Sequence, residues 1–142
     1  MTSTSSHSSV LIALGSNLGD RRYHLMRAIH ALRGVMRVVR VSAIRESAAV
    51  DATPGSPPFL NALAVGYTSM NPEELLAALL NIESRLGRVR RGVRNEPRVI
   101  DLDLIFHGGH RRRTRTLMLP HPRYHERAFV IVPMRELRLD WR

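Results

Sequence analysis

Val99-Ile100-Asp101-Leu102-Asp103-Leu104-Ile105-Phe106 is the stretch that decides the fold. It is apolar apart from two acids at positions i and i+2, and it reads as a strand. Strand side chains alternate between faces. Asp101 and Asp103 therefore project together from one side, while Ile100, Leu102 and Leu104 enter a core on the other. Ahead of it lies a polar, arginine-dense loop, residues 88–98. Before that loop the sequence predicts a helix with Asn71 as N-cap, Pro72 at its first position and Glu73 and Glu74 against its dipole. Its apolar face is Leu75, Leu76, Leu79, Ile82 and Leu86, and Gly87 ends it. Further back, Phe59–Thr68 reads as a strand, residues 47–58 (with Asp51, Pro54, Gly55, Pro57 and Pro58) as a loop, and the β-branched run Val35–Ile44 as another strand. Tyr23, Met26, Ile29 and Leu32 recur at helical spacing before Gly34, and Val10–Leu14 is a buried strand. Beyond Phe106, residues 107–116 form an exposed turn or short hairpin, LMLPHPRYHER is extended, and AFVIVPMREL fits either a strand or a short helix. The order strand, helix, strand, strand, helix, strand is the ferredoxin-like β-α-β-β-α-β plan. It predicts an α+β sandwich: an antiparallel sheet with both helices packed on one face and the other face free for a ligand.

The chain has 142 residues, enough for one domain with a real core. We assign residues 1–9, polar and without a charged side chain, to a disordered tail and residues 10–142 to a single domain. The apolar run Val10–Leu14 is far too short for a signal peptide or a membrane span, so the chain reads as cytoplasmic. All 22 basic side chains are arginine, and both Lys and Cys are absent. That excludes a Walker-type phosphate lysine, a Schiff base, a thiolate nucleophile and disulfides. Any metal must rest on Asp, Glu or His. The net charge of +10 is concentrated: residues 85–127 carry twelve arginines and four acids, whereas residues 47–84 carry four acids and no arginine.

Two carboxylates side by side raise each other's proton affinity unless a cation lies between them. Mg²⁺ suits such a pair, because it takes oxygen ligands and accepts substrate phosphates for the rest. Arg88, Arg90, Arg91, Arg94 and Arg98 on one side of the pair and Arg111–Arg115 on the other supply cations for phosphate. A D-x-D strand alone would more often be a solvated face; the arginines turn the reading toward a nucleotide site. RNA recognition by this fold uses exposed aromatics, and Val99–Phe106 offers only Phe106. His121, between two prolines, suits a hydrogen bond to phosphate or a leaving oxygen. His107, His110 and His125 read as solvated. Gly15-Ser16-Asn17-Leu18-Gly19 reads as a tight turn that could form a phosphate nest. A different class stays open on these residues: a basic nucleic-acid-binding module on the same fold.

Three segments in order, ALGSNLGDR (Ala13–Arg21), PRVIDLDLIFHG (Pro97–Gly108) and LPHPRYHERAFVIVP (Leu119–Pro133), resemble the 6-hydroxymethyl-7,8-dihydropterin pyrophosphokinases of folate biosynthesis. PPFLNALA (Pro57–Ala64) and IESRLGRVR (Ile82–Arg90) resemble them too, in register from Val10 to about Leu139. The resemblance implies transfer of pyrophosphate from ATP to the pterin hydroxymethyl group with release of AMP, by a monomeric enzyme using Mg²⁺, two ions with ATP. It implies Asp101 and Asp103 as metal ligands and Arg88 and Arg98 as catalytic arginines. It further implies ATP contacts from Glu83, Arg90, Arg98, His121 and Arg127, and pterin contacts from Phe59, Asn61 and Phe129. Where the family usually has Gly-Pro-Arg before the Asp strand, this chain has Asn95-Glu96-Pro97-Arg98. An impaired or substrate-shifted paralogue is the corresponding alternative.

Overall fold

The computed structural model describes residues 7–49, 54–90, 92 and 96–139. Asp51, Arg91, Arg94 and Asn95, which the sequence reading used, lie outside the described residues. Five strands build the main sheet: β1 (Ser8–Ser16), β2 (Arg37–Val41), β3 (Arg45–Ser47), β4 (Phe59–Thr68) and β5 (Asp101–His107). Their order is β2-β4-β1-β5, with β3 paired to the start of β4, and every pairing is antiparallel. Helices α1 (Arg21–Leu32) and α2 (Pro72–Arg85) cross between them, which is the ferredoxin-like arrangement.

Local chemistry accounts for the helices. Asp20 caps α1 by accepting from the Tyr23 N–H at 3.1 Å. Asn71 and Glu74 form a reciprocal capping box at α2, with Pro72 at its first turn. Leu25, Ala28, Ile29 and Leu32 of α1 and Leu75, Leu79 and Ile82 of α2 meet Val10, Ile12, Leu14, Ala64, Leu102 and Leu104 of the sheet in one buried cluster. Each such side chain contributes about 1.5–3 kcal/mol on burial.

Several expectations are corrected. Strand β1 begins at Ser8, so residues 8 and 9 belong to the sheet rather than to a tail. The second strand divides into β2 and β3. The Leu63 N–H donates to the Ser42 hydroxyl at 2.8 Å and the Ser42 N–H to the Leu63 carbonyl at 2.9 Å, so a side chain replaces one backbone acceptor and the ladder breaks. A short hairpin, β6 (Arg112–Arg113) with β7 (Met118–Leu119), follows β5. The ambiguous AFVIVPMREL is a helix, α3 (Ala128–Glu136). It packs on the face of the sheet expected to be free, where Val130 and Met134 join Leu11, Ala13, Leu63, Ile105 and Phe106. The short helix leaves parts of that face uncovered, among them the end that carries Gly15, Asn61 and Asp101.

Candidate active site

The open part of the α3 face is set out by strand register. Gly15 of β1 pairs with Asn61 of β4 on one side and with Asp101 of β5 on the other. One step along, Ala13 lies between Leu63 and Asp103. Phe59, two residues before Asn61, shares the face by alternation. The floor of the cleft is thus two small residues, with a carboxylate pair on one flank and an aromatic ring and an amide on the other. Two strand spacings separate the flanks by roughly 10 Å. A Cβ on Gly15 would come 3.1 Å from Phe59 Cδ1 and 3.3 Å from Asn61 Oδ1, so glycine is what lets both side chains lie over β1.

At the acid flank, Asp101 Oδ1 accepts from Arg88 Nη1 at 2.8 Å, and Arg98 Nη1 lies 3.4 Å from its Oδ2. The Asp103 carboxylate has no hydrogen bond or ion pair among the described residues. Its carboxyl is pushed from 3.8 up to about 7, by burial first and by the Asp101 charge second, with Arg127 opposing. A half-buried carboxylate raised in this way, with a second one beside it, is a pair short of positive charge, which is the condition a divalent cation relieves. The donor set fits an oxygen-seeking ion: two carboxylates and no third Asp, Glu or His ligand among the described residues, which leaves the other positions to phosphate oxygens and water.

Glu83 is 3% exposed and stands behind this flank. Its Oε2 accepts from Arg88 Nη1 at 2.9 Å and from the Leu102 N–H at 2.7 Å, and its Oε1 from Arg90 Nη2 at 2.9 Å. Burial raises its carboxyl, while the Leu102 N–H and the two arginines pull it down. Glu83 thereby orients Arg88 and Arg90. On the far side His121 is anchored by its backbone N–H to the Ile105 carbonyl at 2.9 Å, and its buried Nδ1 has no partner among the described residues. Burial, and then Arg127, hold its imidazole below the usual range, in the neutral form.

At the ring flank, the Arg98 guanidinium carbon lies 5.6 Å from the Phe59 centroid. Asn61 Nδ2 donates to the Ser47 hydroxyl at 2.7 Å, and no described residue donates to its Oδ1. Phe129 is in the first turn of α3, half-buried, with Arg127 5.7 Å from its centroid. The structure therefore brings Arg88, Arg90, Arg98, Glu83, Asp101, Asp103, His121 and Arg127 to the acid end, and Phe59 and Asn61 to the ring end, with Phe129 on the element that bounds the cleft.

Other sequence expectations do not join this site. Arg112 pairs with Glu73 at 2.7 Å, ten residues and roughly 15 Å along α2 from Glu83. His107 is not solvated: it is 1% exposed, with Nε2 2.9 Å from the Met70 carbonyl, and it stacks edge-on against His110. Gly15 and Ser16 are strand residues rather than a turn, which removes the nest reading at those positions. Sequence reasoning missed Ser47, Arg21 and the part played by Asn17. Arg21 donates from Nη1 to Glu46 at 3.0 Å and to the Pro58 carbonyl at 2.9 Å, pinning the entry to β4. An arginine at the first position of α1 works against the helix dipole, and this misplacement is the signal that could have singled it out.

Fold and site together define a class: a small ferredoxin-like α+β domain whose ligand face joins an acid pair and converging arginines to an aromatic-lined amide. The chain belongs to the 7,8-dihydro-6-hydroxymethylpterin-pyrophosphokinase (HPPK) family, whose model matches residues 11–139. It is 41% identical over 128 residues to the 2-amino-4-hydroxy-6-hydroxymethyldihydropteridine pyrophosphokinase of Bacillus subtilis, covering 89% of this chain and 75% of that one. It is 43% identical over 129 residues to the mitochondrial folate synthesis bifunctional protein of Arabidopsis thaliana, covering 90% of this chain. The chain spans 23% of that plant protein's length. A crystal structure of an HPPK-DHPS in complex with substrates superposes with a TM-score of 0.67 at 12% identity, over 93% of this chain and 40% of that one, and shares its fold.

Proposed function

We propose that the chain transfers the terminal pyrophosphoryl group of ATP to the hydroxymethyl oxygen of 6-hydroxymethyl-7,8-dihydropterin and releases AMP. The observation that carries this reading is the row Asn61, Gly15, Asp101 across three adjacent strands, an amide and a carboxylate flanking one small residue, which supports a ring slot on one side and a phosphate-and-cation end on the other. In the reaction the pterin hydroxyl oxygen bonds to the β-phosphorus of ATP, the bond from that phosphorus to the α-bridging oxygen breaks, AMP departs with that oxygen, and the hydroxyl proton passes to water. Phe59 and Phe129 hold the ring by its faces, and the free Asn61 Oδ1 accepts from an N–H on its edge. Arg90, Arg98, Arg127 and the open Nδ1 of His121 meet phosphate oxygens, and Arg88 shares its charge between Asp101 and the transferring group. Asp101 and Asp103 would hold Mg²⁺, which when bound neutralises phosphate charge. Positioning and charge neutralisation carry such a step, so the protein needs no strong acid or base. All these residues come from one chain, so a monomer suffices.

The assay that decides is AMP release from ATP by the full chain with Mg²⁺ and the dihydropterin. AMP and a pterin diphosphate in equal amounts are expected. AMP formation that is indifferent to the pterin, or absent across a panel of related pterins, removes this function.

A further inference from the structure

Asn17 is 1% exposed, and its polar atoms are spent between two loops that belong to opposite ends of the site. Its Nδ2 donates to the Pro57 carbonyl at 3.2 Å, two residues before Phe59. Its Oδ1 accepts from the Arg98 N–H at 2.8 Å, and its own N–H donates to the Arg98 carbonyl at 3.1 Å. The side-chain amide thus ties the Arg98 N–H to the entry of the ring-bearing strand, while the backbone N–H of the same residue holds the Arg98 carbonyl. The clamped residue is the one that touches both ends: the Arg98 side chain lies 3.4 Å from Asp101 and 5.6 Å from the Phe59 centroid.

We propose that Asn17 is a positioning residue, which sets the spacing and angle between the ring slot and the phosphate-transfer end. The inference rests on the pyrophosphokinase reading above. An in-line displacement needs the attacking oxygen and the phosphorus about 3–3.5 Å apart, and a misplacement near 1 Å costs about 100-fold in rate. The elements that carry the two substrates are different: the Pro57–Asn61 segment for the ring, and the Arg98–Asp103 segment for the phosphates. Sheet register sets where β4 and β5 lie, but it does not hold the loops that lead into them, and Asn17 does. Only a planar group with a donor and an acceptor at this reach serves both. Aspartate lacks the donor, and serine is too short.

Two substitutions in the full chain separate the ties. Asn17→Ala removes both side-chain bonds. Asn17→Asp keeps the acceptor for Arg98 and loses the donor to Pro57. We expect kcat to fall about 100-fold in the first and about tenfold in the second. Dissociation constants for α,β-methylene-ATP with Mg²⁺, and for oxidised 6-hydroxymethylpterin, should each stay within about threefold of wild type, because each half-site remains intact. A merely structural role would instead weaken binding and rate together. A kcat within twofold of wild type in Asn17→Asp overturns the inference, as does a loss that lies wholly in the dissociation constants. If neither variant melts cooperatively, Pro57→Gly, which loosens the same tie from the loop side, is expected to show the same kcat loss and decides in the same way. Failure of the wild-type chain to form AMP overturns the activity itself and this inference with it; an active wild type beside an indifferent Asn17→Asp overturns the inference alone.

Discussion

The two faces of one sheet are built from the same three strands and finished differently. On the α1/α2 side, Val10, Ile12, Leu14, Leu102 and Leu104 are each at most 5% exposed, and two helices of 12 and 14 residues seal them. On the other side a single nine-residue helix packs over Leu11, Ala13, Leu63, Ile105 and Phe106, with Val65 at the margin. Past its end the strands turn to Gly15, Asn61, Asp101 and Asp103, small or polar groups that burial alone would not favour. The closed face holds the molecule together, and the unfinished face is where ligand chemistry can act. The contrast also explains the charge. Arg88, Arg90 and Arg98 do not make a general basic surface, because Glu83 and Asp101 gather them at the edge of the unfinished face.

The sharpest way to break that contrast is to remove its acids. Asp101→Ala or Asp103→Ala is expected to lower kcat for AMP formation by at least about 1,000-fold while the thermal melt stays cooperative. Near-normal turnover in either variant would remove the cation assignment. On the closed face the effect should invert. Leu79→Ala, at a position 1% exposed, should cost about 2–5 kcal/mol in denaturant unfolding and leave the kcat of the remaining folded protein near wild type.

A third test uses pH. The folded value of Asp103, about 7, lies above its unfolded 3.8. Between those limits the folded state keeps a proton that the unfolded chain has released, so the ligand-free protein loses stability as pH rises from about 4 to 7. Asp103→Asn lacks that loss. Its advantage in melting temperature over wild type should be absent near pH 4 and reach several degrees by pH 7, on the order of 1–3 kcal/mol. Added Mg²⁺ should raise the melting temperature of the wild type and not of the variant. An advantage that is flat with pH would show that burial of Asp103 is not what raises it. The smallest effect is expected at the floor. Gly15→Ala, whose Cβ crowds Phe59 and Asn61, should raise KM for the pterin about tenfold and leave KM for ATP within about twofold. Equal rises in both would mean that the floor serves more than the ring.

Much of this was legible in the chain because it depends on short-range periodicity. Alternation in VIDLDLIF placed both acids on one face, and register confirms it through Gly15 and Ala13. Asn71, Pro72, Glu73 and Glu74 marked α2 because a cap acts within four residues. What was not legible depends on partners distant in sequence. AFVIVPMREL satisfies both periods, and it is a helix because Val130 and Met134 find the patch around Leu11 and Leu63. The break between β2 and β3 depends on a Ser42 hydroxyl meeting Leu63, 21 residues away. His107 looked like part of a glycine-rich turn, and it is buried because the Met70 carbonyl offers it a partner.

The sequence by itself determined the helices α1 and α2 and the strands β1, β4 and β5 that frame them, the shared face of Asp101 and Asp103, and the supply of arginine without lysine, since each follows from residue type and local spacing. Only the tertiary structure decided which arginines reach the acids, which half of the second face stays open, and that Asn17 spans two loops. The arginine pairs join residues close in sequence, but helix α2, the loop and strand β5 must first be brought together by the core; the Asn17 ties reach forty residues to Pro57 and eighty-one to Arg98. Such pairings are selected by how the whole core packs, and no local pattern encodes them.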